Sequence, residues 1–111
     1  MFAPDNEREL KSLFRSRSVP DAIVCGNDEN ATALAAALLR IGVRVPEDVA
    51  VTGFDDDSDA RSCVPPLTTV RQPVALIART ALTTLLARMR NPQGDPREIL
   101  LDAPLVVRRS T

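Results

Sequence analysis

The chain contains no histidine, which removes the commonest general base near neutral pH and the commonest transition-metal ligand. An enzymatic role therefore starts at a disadvantage. Cysteine is scarce: Cys25 and Cys63 stand apart without metal-ligand spacing, and Cys25 ends an apolar run where a buried free thiol is expected. An excess of either charge is also missing. With 14 Lys and Arg against 15 Asp and Glu, the formal net charge is -1, which excludes a polybasic nucleic-acid surface. No uninterrupted apolar run approaches the roughly 18 residues of a membrane span, and the start has no basic segment followed by an apolar one. No membrane association and a cytoplasmic location are the expectations. Internal repeats, low-complexity tracts and linker-like stretches are absent as well, and 111 residues suit a single domain.

What is present is a foldable balance of 44% hydrophobic and 26% charged residues, outside the range of disordered chains. Pro4, Asp5, Asn6 and Glu7 precede Leu10, Leu13 and Phe14, and Arg15 and Arg17 follow. This order predicts a surface helix with acids at its start and bases at its end, packed on a sheet. After the breaker Ser18-Val-Pro20, residues 22–25 form a short apolar run that reads as a buried strand. Asn27 is placed to cap a helix that carries Asp28 and Glu29 in its first turn and ends at Gly42. Between Ala31 and Ile41 only Thr32 and Arg40 are polar, so that helix needs a cover beyond the sheet. Residues 49–54 are β-branched and apolar, as in a buried parallel strand. Strand, helix, strand makes a βαβ unit, whose strands deliver their carboxyl ends, and hence Asn27 and Asp55, to one rim.

Residues 55–66, with Asp55, Asp56, Asp57 and Asp59, read as a loop with one helical turn, and residues 67–70 as extended. Val74, Ile77, Ala78, Ala81, Leu82, Leu85, Leu86 and Met89 then recur at helical spacing up to Arg90. Leaving about eight apolar side chains in water is costly. The stripe is expected to be buried, either by folding back on the βαβ unit or by another copy of the chain, as in domain swapping. Residues 99–101 and 105–107 read as short extended segments, and residues 108–111 as a frayed tail.

Ligands of open α/β sheets bind outside the carboxyl ends of the strands, where Asn27 and Asp55 fall. A carboxylate accepts hydrogen bonds from vicinal hydroxyls, and a carboxamide both donates and accepts, so the pair suits an uncharged polyol. The plainer readings are a helix cap for Asn27 and a solvated turn carboxylate for Asp55. The aspartate cluster could hold a hard cation, but it lacks the alternation and glycine of a calcium loop. A solvated acidic loop is the simpler reading, and neither a metal nor a cofactor is expected.

Two blocks carry a family resemblance: Arg44-Val-Pro-Glu-Asp-Val-Ala-Val-Thr-Gly-Phe-Asp-Asp-Asp57 and Pro65-Pro-Leu-Thr-Thr-Val-Arg-Gln-Pro73. With Pro20-Asp-Ala-Ile-Val-Cys-Gly-Asn-Asp28 before them and Leu105-Val-Val-Arg108 after, they resemble the effector-binding domain of LacI/GalR transcription regulators. The resemblance implies an α/β fold, a parallel-sheet, Rossmann-like lobe fragment of a periplasmic-binding-protein-like type I fold. It implies that residues 1–111 are a carboxyl-terminal fragment of that domain. Residues 1–68 would belong to the carboxyl-terminal lobe, 69–98 to a crossover and a helix of the other lobe, and 99–111 to the returning strands. In the family the positions matching Asn27 and Asp55 contact effector. Phe54 matches an aromatic position, although as the last residue of a strand it could equally be core. The family dimer would use Thr32, Ala36, Cys63 and Val64, for which ordinary core packing is the alternative.

The implied function is the sensor and dimerisation portion of a regulator, acting as a homodimer on a sugar-like molecule. DNA would be read by a headpiece that this chain lacks. A periplasmic sugar receptor shares the fold but does not share the two blocks as closely. A free-standing dimerisation module is the remaining alternative. For an enzyme, no nucleophile-base pair or phosphate-cradling glycine loop is visible.

Overall fold

The computed structural model describes residues 6–16 and 19–111; Pro4, Asp5, Arg17 and Ser18 lie outside them. The first helix, α1 (Asn6–Phe14), has Glu7 and Glu9 in its first turn and Lys11 in its last, charges placed to suit the helix dipole. It buries Leu10 and packs Phe14 against the core. Arg40 bridges to Glu7 at 2.6 Å from the next helix.

The central unit is β1 (Ala22–Val24), α2 (Asp28–Arg40) and β2 (Ala50–Thr52). The strands are parallel, with Ala22 opposite Ala50 and Val24 opposite Thr52, so the expected βαβ unit is present. Ala31, Leu34 and Leu38, at helical spacing and with Ala37 beside them, are buried on α2 and meet Val49, Val51 and Leu67. Gly42, at φ +83°, follows the end of the helix in the left-handed conformation that glycine adopts without a Cβ penalty. The core is small and sits between α2 and the start of β2.

A short helix, α3 (Ser58–Ser62), follows β2 and packs on α2. Next come β3 (Thr69–Val70), α4 (Val74–Arg90) and β4 (Leu105–Val106). β3 and β4 are antiparallel. β3 also runs parallel to the end of β2, through bridges from Thr52 to Thr68 and from Asp55 to Arg71.

Four expectations need correction. β1 is not a buried strand: only Ile23 packs on the core, and Val24 is 82% exposed. Alternate strand residues point to opposite faces, and only one face of β1 is covered among the described residues. Residues 99–101 join no sheet; they lie beside α4, where Ile99 and Leu101 line a shallow groove with Ile77 and Leu85.

The tail is not frayed. Ser110 is fully buried, because its carbonyl accepts from Val51 N at 2.8 Å and its hydroxyl donates to Val51 O at 2.6 Å. That hydroxyl also accepts from Thr68 N at 2.8 Å.

Finally, α4 does not fold back on the βαβ unit. It buries none of its residues, and Leu82, Leu85, Leu86 and Met89 are all exposed. The radius of gyration is 18.6 Å, against about 13 Å for a compact chain of this length. α4 therefore projects from the core as an arm.

Candidate functional site

The rim at the carboxyl ends of β1 and β2 is built by backbone first. Asp28 N donates to Phe54 O at 2.9 Å, joining the start of α2 to the end of β2 and bringing Asn27 and Asp55 to neighbouring places. Asn27 is half-buried and caps α2: in an extended conformation (φ -157°), its Oδ1 accepts from Asn30 N at 2.9 Å. The capping reading is thus satisfied, and the carboxamide nitrogen is not used by that bond.

Asp55 has φ +125°, a conformation costly for any residue with a Cβ, and such strain is retained only where the surroundings enforce it. Here β3 enforces it. Asp55 N donates to Val70 O at 2.8 Å, and Gln72 N to Asp55 O at 3.4 Å. The Gln72 carboxamide donates to the Asp55 carboxylate, so Gln72 joins the rim from the far side of the crossover. Phe54, just after β2, is 37% exposed.

Of the aspartates expected in a solvated acidic loop, Asp59 is exposed, but the others are not. Asp56 is buried, with its side chain fully covered and three arginines around it. Arg108 donates to its Oδ1, Arg71 Nε reaches its Oδ2 at 2.5 Å, and Arg61 reaches Oδ2 at 3.4 Å. The hydrogen bond from Arg108, with help from Arg71, holds the Asp56 carboxyl down at about 2. Asp57 caps α3, accepting from Ala60 N at 2.8 Å.

Asp28 is fully buried; its carboxylate accepts from Asp57 N at 3.0 Å and from the Thr69 hydroxyl at 2.6 Å. Gly53 makes room for it, since a Cβ there would lie 2.2 Å from Asp28 Oδ1. The aspartate run therefore divides into one residue facing the rim and two holding the loop. Among the described residues, no group of three Cys, Asp or Glu is placed to hold a metal.

Asp28, Asp56, Gln72 and Ser110 were not singled out by the sequence reading. Asp28 looks like any first-turn acid. Asp56 had one available signal: an arginine directly follows β3 (Arg71) and another closes the Leu105 block (Arg108), two cations brought to the sheet end where the aspartates lie.

The proposed dimer residues divide. Thr32 and Ala36 are one turn apart on α2, with Ala36 exposed and Thr32 half-buried, its hydroxyl donating to Asp28 O at 3.0 Å. Leu39, 64% exposed, extends that side of the helix. Val64 is 79% exposed, whereas Cys63 is half-buried with its thiol donating to Pro65 O at 3.1 Å. Both cysteines are free, and burial raises their thiol pKa values. Core packing accounts for part of Cys63 and for none of Val64.

Comparison with known proteins places this geometry. Residues 2–111 match the periplasmic binding protein-like domain. The ribose operon repressor of Haemophilus influenzae is 37% identical over 101 residues, which cover 91% of this chain and 30% of the repressor. The Lac repressor dimer bound to operator and an anti-inducer superposes with a TM-score of 0.80 at 32% identity, over 96% of this chain and 36% of that one. The complex of the transcriptional regulator CelR with cellobiose gives a TM-score of 0.80 at 38% identity, over 95% of this chain and 31% of that one. The chain spans about a third of the length of the curated relatives it matches. Its α/β architecture is that of the periplasmic-binding-protein-like fold. The chain belongs to the periplasmic binding protein-like domain family, in the form found in LacI-type transcription regulators.

Proposed function

We propose that this chain is the effector-sensing and dimerisation portion of a LacI-type regulator, a repressor that responds to a sugar-like small molecule in the cytoplasm. The observation that carries the reading is the bond from Asp28 N to Phe54 O, which sets an amide, Asn27, beside a carboxylate, Asp55, at a strand-end rim. Such a pair matches vicinal hydroxyls. Two relatives support the ligand class and the role: one is a ribose operon repressor, another a regulator in complex with cellobiose.

Residues 1–68 belong, in this reading, to one lobe, residues 69–98 to a crossover and a helix of the second lobe, and residues 99–111 to the return. The exposed stripe of α4 is then covered by that second lobe or by another copy. Effector bridging the lobes favours one arrangement, and operator affinity changes by the difference in effector affinity between the two states. Thr32, Ala36, Cys63 and Val64 lie in a homodimer interface, as the Lac repressor relative is a dimer on operator. DNA contact belongs to a headpiece outside these residues, and the chain itself has no catalytic role.

Titration of the isotope-labelled chain with ribose or cellobiose, followed by amide shifts, tests the rim. With half the cleft contributed, the shifts centre on Asn27, Asp55 and Gln72, and binding is weaker than about 1 mM, some 4 kcal/mol. Tighter binding, or shifts confined to another part of the chain, contradicts the reading.

A further inference from the structure

Three guanidinium groups converge on one carboxylate in this molecule, an arrangement that charge pairing alone does not require. A single carboxylate balances one arginine, yet this one holds three guanidiniums close together. What distinguishes the three arginines is where they come from. Arg61 lies on α3, on the core side. Arg71 follows β3, the strand that leaves the core, and Arg108 follows β4, the strand that returns. The carboxylate thus ties both crossing strands to the core at a single point, reaching residues 15 and 52 positions away in sequence.

The ties continue into the backbone. Arg71 N donates to Pro104 O at 2.9 Å, locking one crossing strand to the other. Arg108 donates from its side chain to Leu67 O at 2.8 Å and from its backbone to the Thr68 hydroxyl at 2.9 Å. Only Gln72 and Pro73 separate Arg71 from the first residue of α4, and that link is stiff. Proline fixes its own φ, Val74 N bonds Gln72 O at 2.9 Å, and Ile77 N bonds Pro73 O at 2.9 Å. The direction of the α4 arm is therefore set where Arg71 is anchored.

We propose that Asp56 is a positioning residue, the clamp that fixes both crossing strands, and with them α4, relative to the parallel sheet. It stands next to Asp55, whose backbone is bridged to Arg71. A ligand that shifts Asp55 therefore moves the clamp and the root of the arm together; this last step rests on the effector reading above, while the clamp itself does not. Asp56 sits at φ +61°, a conformation that Asn tolerates as well as Asp. Asp56→Asn thus removes the charge without disturbing the backbone. It leaves three guanidiniums facing one another, and their repulsion splays the strands. Salt then narrows the splay, because the screening length falls from about 10 Å at 0.1 M to about 3 Å at 1 M.

The test is a spin-label distance between Glu47→Cys, beside β2, and Met89→Cys, on α4, both exposed positions. It is made in the full chain with Cys25→Ser and Cys63→Ser, diluted with unlabelled chain so that distances between copies drop out. The parent gives one narrow distribution, insensitive to salt. Asp56→Asn broadens it about twofold at low salt, and 1 M salt restores much of the narrowing. Should that variant not fold, Arg71→Gln takes its place: it severs the tie at the root of α4, keeps the carboxylate paired, and broadens the distribution without salt rescue. A parent-like distribution in the variant that folds, or broadening in Asp56→Asn that salt leaves untouched, overturns the proposal. Neither result depends on any effector, so failure here is separable from failure of the sensor reading.

Discussion

The carboxylate of Asp28 accepts a 2.6 Å hydrogen bond from the hydroxyl of Thr69, 41 positions further along the chain. The same group accepts from Asp57 N. One buried side chain at the start of α2 thus holds the loop after β2 and the first residue of β3, the two segments that frame the rim.

Asp28→Ala leaves the Asp57 N–H and the buried Thr69 hydroxyl without their acceptor. Leaving buried groups unpaired costs about 1 to 3 kcal/mol each, so urea unfolding of this variant shifts by roughly 2 to 4 kcal/mol. Thr69→Val removes one bond while keeping the shape and costs about 1 kcal/mol. Equal losses in the two variants contradict the assigned geometry.

Gly53→Ala acts on the same network from the other side. The added Cβ falls 2.2 Å from Asp28 Oδ1, 2.8 Å from Leu67 Cδ2 and 3.2 Å from the Asp28 Cα. Backbone cannot yield cheaply, and overpacking of this kind costs about 1 to 3 kcal/mol. Gly26→Ala is the control, because nothing lies within 4 Å of its added carbon. Thermal unfolding separates the two, and a tolerant Gly53 sinks the prediction.

Asp56 makes stability depend on acid. Its folded pKa, about 2, lies below the ordinary 3.8, so the ionised form favours the fold. Its contribution is complete above about pH 4 and is lost as the pH falls through the folded value. Half-exposed Arg61 and Arg71 reach it from the solvent side, which limits the effect to the order of 1 to 2 kcal/mol. Chemical unfolding between pH 5 and pH 2 is expected to be flatter for Asp56→Asn than for the parent. Identical slopes remove the arginine cluster as a source of acid lability.

The α4 stripe predicts self-association. Ile77, Leu82, Leu85, Leu86 and Met89 present a continuous exposed apolar face, and faces of this kind mark contact surfaces. Sedimentation of the isolated chain is expected to give species above the monomer, and Leu82→Glu with Leu86→Glu to return it toward the monomer. A parent that stays monomeric at high concentration contradicts this.

Local periodicity carried the helices well. The cap at Asn27, the acids of the first turn and the apolar spacing of α2 are all sequence-local, and so is the long stripe of α4. The rim was legible for the same reason, since two strand ends in one βαβ unit must share an edge. Burial was less legible, because it depends on partners. Val24 and the α4 stripe read as buried from composition, yet among the described residues only one face of β1 is covered and no residue of α4 is buried. Asp56, Asp28 and Ser110 were hidden for the opposite reason. Asp56 was read as part of a solvated loop, Asp28 as a first-turn acid and Ser110 as part of a frayed tail, and each is bonded by groups more than ten residues away that no local pattern announces.

The most direct test of the sensor reading replaces the matching third of the Haemophilus influenzae ribose operon repressor with residues 2–111 and measures operator affinity with and without sugars. The chimera is expected to bind operator and to respond to at least one sugar. Asp55→Ala in the chimera is expected to abolish that response while leaving operator binding within about twofold. A chimera that responds equally well without the Asp55 carboxylate would show that the rim does not sense the effector.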